Sequence, residues 1–330
     1  MSRNVDLRCL TPDELPTPPR EKKGWPWTDE GPKIPRTVPD GPPCPLISIV
    51  TPSYNQGKFV EATIRSVLLQ GYPSLEYIII DGGSTDGSID TIRRYEPWLT
   101  YWVSEPDRGQ AHAINKGFQK ASGELLGWLN SDDQLQPRAL HCVAECSGNF
   151  PHAGAFVGHG QIVDTKGKVL YYKNPGELTF EGFCQWIKDG DFMQPSCFFR
   201  RSAWEASGPM DESIEYALDV DLWLRMVKKV NFQKIDKLLS TALSHPGAKT
   251  TAFINDAIVD AIIVITKAGG ERFIRDHLRD ILNRLSFYDS ATSAVLNYPV
   301  LRLLSPIIRA FLKTAVRRNR ALQGAGVKQG

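Results

Sequence analysis

Ser48-Ile49-Val50-Thr51-Pro52-Ser53-Tyr54-Asn55 and Ile78-Ile79-Ile80-Asp81-Gly82-Gly83-Ser84-Thr85-Asp86-Gly87 decide the fold of this chain. Each is an apolar run that breaks into small and polar residues at its carboxyl end. Two further runs repeat the pattern, one ending Ser104-Glu105-Pro106-Asp107-Arg108-Gly109-Gln110 and the other Gly127-Trp128-Leu129-Asn130-Ser131-Asp132-Asp133. Working outward, the spacing predicts strands over 46–51, 75–80, 99–103 and 124–129, separated by helices over about 57–70, 86–96 and 108–121. Strands that alternate with helices make βαβ crossovers and a parallel sheet. In an open α/β sheet the loops at the carboxyl ends of the strands converge on one crevice. The polar residues at all four ends therefore share one pocket.

Past these runs, Pro137 opens another helix at a first-turn position that proline tolerates. Residues 153–173 read as a hairpin turning at Asp164-Thr165-Lys166-Gly167, and Pro195-Ser196-Cys197-Phe198-Phe199 as a strand. Ala203 to Ser207 forms a short helix stopped by Gly208-Pro209, and Leu218 to Lys229 has a helix-period apolar face. Residues 1–45 hold eleven of the 23 prolines, so no regular element runs through them. This extended arm is either wholly disordered or, as Trp25 and Trp27 favour, docked in places on the domain behind it. At the other end, residues 290–330 carry seven Lys or Arg and no acid. After Ser305-Pro306, one helical face holds Ile307, Ile308, Phe311, Leu312 and Ala315, and another holds Arg309, Lys313 and Arg317. Two readings stand for this basic amphipathic helix: peripheral contact with an anionic membrane, or packing on the domain with a solvated basic edge.

With 330 residues and 42% hydrophobic content the chain can bury a substantial core. A net charge of +2 is far below what a nucleic-acid partner demands. The six cysteines are scattered without a CxxC pair, as in a reducing compartment, and Cys142 and Cys146, one helical turn apart, read as core rather than zinc ligands. No secretory signal and no apolar run of membrane-spanning length is visible, so a cytoplasmic protein is expected.

Asp132 and Asp133 close a strand with paired carboxylates. Alone, such a pair is more often a turn or helix cap. Hard oxygen ligands at a loop are also what Mg²⁺ or Mn²⁺ needs when a diphosphate supplies the remaining coordination. Asp81 to Gly87 reads either as a glycine-rich turn with Asp86 capping the next helix, or as a nucleoside contact through Asp81. It lacks the dinucleotide GxGxxG spacing.

Together and in this order, these residues resemble the inverting family-2 glycosyltransferases, over about residues 46–251. The resemblance implies a GT-A, Rossmann-like α/β fold with a mostly parallel sheet flanked by helices, preceded by the arm (1–45) and followed by a helical basic extension (252–330). It implies that Pro52, Tyr54, Asn55, Asp81 and Arg108 hold the nucleoside of a nucleoside-diphosphate sugar. Asp132 and Asp133 then take the metal and the sugar diphosphate. Asp219, in Tyr216-Ala217-Leu218-Asp219-Val220-Asp221-Leu222-Trp223, stands where the family places its base, as an inverting attack by an acceptor hydroxyl requires. Ser244-His245-Pro246-Gly247-Ala248-Lys249 matches a later loop, with His245 as a metal ligand and Lys249 at the diphosphate. The resemblance also implies Gln194 as the polar contact beside the acceptor cleft, and a glycan or lipid-linked glycan as the expected acceptor. Three departures are visible: Gly82 replaces the second acid of Asp-Asp-Gly-Ser, Asn130 the first acid of Asp-x-Asp, and His112 an acid in the third motif. The rivals are a non-catalytic assembly partner of the same fold and a nucleotidyltransferase, and no triphosphate-binding loop supports the latter.

Overall fold

A computed structural model describes residues 10–29, 44–189 and 192–296. The first half is the alternation expected. Strands β1 (Ile47–Ser53), β2 (Leu75–Asp81), β3 (Tyr101–Ser104) and β4 (Leu125–Trp128) lie parallel in the order β3-β2-β1-β4. Helices α1 (Val60–Leu68), α2 (Ser88–Tyr95) and α3 (Gln110–Lys120) fill the crossovers. Both faces of this sheet are covered, and the side chains sort by the two-residue period of a strand. Val50, Ile78 and Ile80 enter one hydrophobic cluster with Ile114 and Phe118, while Ile47, Ile49, Tyr77 and Ile79 enter the other with Ile64 and Val67. Ser53 is in register with Asp81, and Asp81 with Ser104, which brings the polar ends level.

The second half is mixed. It runs through β5 (Gln134–Leu135), α4 (Ala139–Asn149), β6 (Ala153–Asp164), β7 (Val169–Lys173), α5 (Phe180–Cys184), α6 (Trp186–Asp189), β8 (Cys197–Arg200), α7 (Arg201–Ser207), α8 (Leu218–Met226) and β9 (Asn231–Ser244). The sheet continues β4-β8-β6-β9-β5, with β7 hydrogen-bonded to β6 as the expected hairpin. β8 is antiparallel to both neighbours, whereas β9 is parallel to β6 and antiparallel to β5. Strand β9 has no counterpart in the sequence reading, because Lys234, Asp236 and Lys237 break its apolar alternation. Pro137 lies in the turn ahead of α4, not inside it.

Helices α9 (Lys249–Ala252), α10 (Ile254–Lys267) and α11 (Glu271–Leu296) follow. Ala261, Val264, Ile265 and Ile274 enter the cluster that contains Leu222, Trp223 and Met226, so the chain after residue 251 shares the core. The arm docks as Trp25 and Trp27 suggest, and its anchor is Arg65 on α1. That guanidinium is buried and donates to the carbonyls of Pro26 (3.0 Å), Pro16 (2.8 Å) and Trp27 (2.9 Å) and to the Tyr95 hydroxyl (3.1 Å). Trp25 Nε1 donates to the Leu135 carbonyl at 2.8 Å. The basic helix read after Ser305 lies outside the described residues. Among the described residues no helix is long and apolar enough to cross a membrane.

Candidate active site

At the carboxyl end of β2 the chain turns through Gly83 and Gly87, both at positive φ. Asp81, fully buried, ties three strand ends together. It accepts from Ser53 Oγ (3.0 Å) on β1, from Ser104 Oγ (2.7 Å) on β3, and from Ser84 Oγ (2.6 Å), Ser84 N (2.9 Å) and Gly83 N (3.1 Å) in its own turn. A carboxylate offers about four lone-pair positions, and these five donors fill them. The structure thus gives Asp81 the task of shaping the loop. Gly82 has a local reason in the same place: a Cβ there would sit 2.8 Å from Asp107 Oδ2, so a second acid would require the Asp107 side chain to move aside.

Asn55, at φ +52°, laces the first loop to the second. Its backbone N–H donates to Ser84 Oγ (2.8 Å) and its Oδ1 accepts from Thr85 N (2.9 Å). Asp86 accepts from Gly57 N (2.8 Å) and Ser88 N (3.1 Å), opening α2. Burial would raise its carboxyl, but the bonds from Ser88 and Gly57 outweigh it and hold Asp86 below the usual range. Pro52 is buried within β1, and Tyr54 stands above it, 63% exposed. In the third loop Arg108 reaches Glu212, with Nε at 3.0 Å and Nη2 at 2.6 Å from Oε2. His112 Nδ1 accepts from the Arg108 backbone N–H at 3.2 Å.

The fourth loop separates its two acids. Asp133 turns inward: it is buried, its Oδ2 accepts from Asn130 Nδ2 at 3.2 Å, and its carbonyl accepts from Thr63 Oγ1 at 2.7 Å. Burial first, and the charge of Asp132 second, push its carboxyl well above the usual range. Asp132 turns the other way, with Oδ2 3.1 Å from His245 Nε2. His245 is buried at the end of β9, its ring 4.5 Å from that of Phe59. The pairing of Gln134 with Thr241 and Leu135 with Ser240 brings it there. Asn130, in the place of the expected acid, is an amide junction. Its Oδ1 accepts from Gln110 Nε2 (2.8 Å), its Nδ2 also donates to Gln194 Oε1 (3.3 Å), and Gln194 Nε2 donates to the Trp128 carbonyl (2.9 Å).

Asp219 lies in the first turn of α8, partly buried, with Oδ1 accepting from Val220 N at 2.9 Å. Burial pushes its carboxyl up to about 6, against that hydrogen bond. One turn on, Trp223 stacks on Trp128 at 5.2 Å and 20°, fixing α8 against the strand that delivers the acid loop. Lys249 reaches the segment ahead of α8, with Nζ 3.5 Å from the Glu215 carbonyl and 5.7 Å from the centre of the Tyr216 ring. Gln110, Thr63 and Glu212 were not singled out in the sequence. Gln110 stands inside the third motif, whereas Glu212 meets Arg108 across 104 residues and carries no local signal.

A carboxylate oxygen and an imidazole nitrogen that converge make a donor pair suited to a divalent ion such as Mn²⁺. Among the described residues no cluster of three or more His, Cys, Asp or Glu is close enough to hold a metal by itself. Two protein ligands with the remaining positions left to a diphosphate is the arrangement such ions favour beside phosphates.

The family model for glycosyl transferase family 2 matches residues 48–207. TuaG of Bacillus subtilis, a putative teichuronic acid biosynthesis glycosyltransferase, is 36% identical over 142 residues, 42% of this chain and 56% of that protein. An uncharacterized glycosyltransferase of Rickettsia typhi is 25% identical over 221 residues, 64% of this chain and 68% of that one. Among solved structures, the mannosyltransferase PcManGT from Pyrobaculum calidifontis, in complex with GDP-Man and Mn²⁺, matches with a TM-score of 0.56 at 18% identity. The match covers 86% of this chain and 85% of that one, and it is a likeness of fold. Residues 48–207 are thus similar to glycosyl transferase family 2, on a sheet of GT-A fold, and the chain is a glycosyltransferase.

Proposed function

We propose that the protein transfers a sugar, with inversion, from a nucleoside-diphosphate sugar to a hydroxyl of a glycan or lipid-linked acceptor, with a divalent metal at the donor diphosphate. The observation that carries this reading is the Asp132–His245 pair, 3.1 Å apart where the loops after β4 and β9 meet. Asp132 and His245 would hold Mn²⁺ or Mg²⁺, and the bound ion would supply positive charge to the departing diphosphate. Asp133 stands outside that set, because its carboxyl is buried and faces Asn130.

Asp219 takes the acceptor proton. With its carboxyl at about 6 it is ionised at neutral pH yet more basic than a solvated aspartate, the compromise a general base needs. Tyr54 offers an exposed ring to the base of the donor, and the loop shaped by Asp81 and Asn55 receives the ribose. Lys249 supplies a cationic donor for the phosphates, and Arg108, expected at the nucleoside, is assigned here to the phosphates as well, because its guanidinium is cationic and exposed. We place the reaction in the cytoplasm.

The test is isothermal titration of UDP, GDP and dTDP, with and without Mn²⁺, into the wild type and into Asp132→Asn and His245→Ala. Metal-dependent binding of one nucleotide, lost in both variants, is expected. Equal binding with and without metal would remove the ion from the site.

A further inference from the structure

Arg108 has a long, entropically expensive side chain at the rim of the donor loop, 69% exposed, yet it is held in one place. Its Nε and Nη2 both bond Oε2 of Glu212, which arrives from the segment between α7 and α8. Glu212 is itself fixed, because its Oε1 accepts from Asn115 Nδ2 at 3.2 Å. Asn115, buried on α3, clamps the same segment by its backbone: Nδ2 donates to the Met210 carbonyl (3.0 Å) and Oδ1 accepts from Met210 N (2.9 Å). The Asn115 bond, against slight burial and together with Arg108, holds the Glu212 carboxyl below the usual range. An ion pair this exposed contributes little to stability, so its consequence is orientation. Glu212 occupies the Nε edge of the guanidinium, and among the described residues Nη1 has no hydrogen-bond partner. A guanidinium can therefore present its other edge to an anionic oxygen while Glu212 holds the first.

We propose that Glu212 is a positioning residue for the donor, aiming Arg108 at the diphosphate through the relay Asn115–Glu212–Arg108. The inference rests on the donor reading above and extends it to a residue outside the four strand-end motifs. The relay also ties the donor loop to the segment that enters α8, so the phosphate contact and the approach to Asp219 share one anchor.

A double-mutant cycle tests it, with UDP and GDP titrated in the presence of Mn²⁺ into the wild type, Arg108→Ala, Glu212→Gln, Glu212→Ala and the double alanine variant. Glu212→Gln keeps the shape and the bond to Asn115 while removing the charge, so it covers the case in which Glu212→Ala folds poorly. Both Glu212 variants are expected to weaken diphosphate binding about tenfold, to leave adenosine, uridine and guanosine titrations unchanged, and to raise KM for the sugar nucleotide with kcat within about twofold. In the Arg108→Ala background the Glu212 change should add nothing, as coupled residues behave. Additive losses, or variants that melt earlier yet bind as the wild type does, would overturn the positioning role. Failure of the wild type to bind either nucleotide would overturn the donor reading first and this inference with it, and the two failures are thereby told apart.

Discussion

The side chain on which the chemistry turns is Asp219, and its environment makes a signed prediction. Burial raises its carboxyl to about 6, so kcat/KM should climb through that pH and level off above it. The raised value means the folded state holds the proton more tightly than the unfolded chain does. The resulting destabilisation is absent below about pH 4, complete above the folded value, and grows as pH rises between them. Asp219→Asn should therefore abolish transfer, by about 10² to 10⁴, while raising the melting temperature at pH 7. A pH series of rates beside melting curves checks both. A second prediction concerns His245→Ala, which should weaken Mn²⁺ binding at least tenfold, as titration of Mn²⁺ alone would show, and should also lower the melting temperature in metal-free buffer because it empties buried space beside Phe59. At this scale the motif residues were legible in the sequence because each ends an apolar run. Their division of labour was not. That Asp132 faces His245 while Asp133 faces Asn130 depends on contacts across 113 and 3 residues, and only the longer one creates the open pair.

Among the elements, α3 shows how closely the crossovers fit. A Cβ at Gly117 would lie 2.3 Å from Val50 Cγ1, between helix and β1. Gly117→Ala should therefore cost about 1–3 kcal/mol through forced displacement of α3, despite alanine's better helix propensity, and a denaturant melt would register it. The four parallel strands and three helices between residues 47 and 128 were legible because β1, β2 and β4 are buried on both faces, while β3 at the edge is only partly buried but follows the same spacing. Strand β9 escaped because half of it is edge-like: of its first eight residues only Ile235 is buried, three are charged, and continuous burial begins at Leu239. The missing strand is also the one that delivers His245, a residue named in the sequence through the resemblance but without the strand that carries it to Asp132.

The described domain is closed by the arm at residues 10–29 and by α10 and α11. Removing the Arg65 guanidinium would strip the carbonyls of Pro16, Pro26 and Trp27 of their donor. Arg65→Ala should cost about 2–4 kcal/mol and make the arm a ready target for limited proteolysis, with the remaining domain cut more slowly. A chain ending at residue 251 should lose cooperative unfolding, because it would leave the core without Ala261, Val264, Ile265 and Ile274. Calorimetry of the shortened chain would decide. Strand β9, threaded between β6 and β5, has a further consequence. A chain leaving the ribosome exposes Asp132 long before the strand that pairs with β5 exists, and pairings so distant in sequence are formed late and slowly. The half-made sheet must wait with an open edge beside β6, so the interval between emergence of residue 135 and residue 244 is when a nascent copy is most exposed to misassembly, and when a chaperone would have most to do.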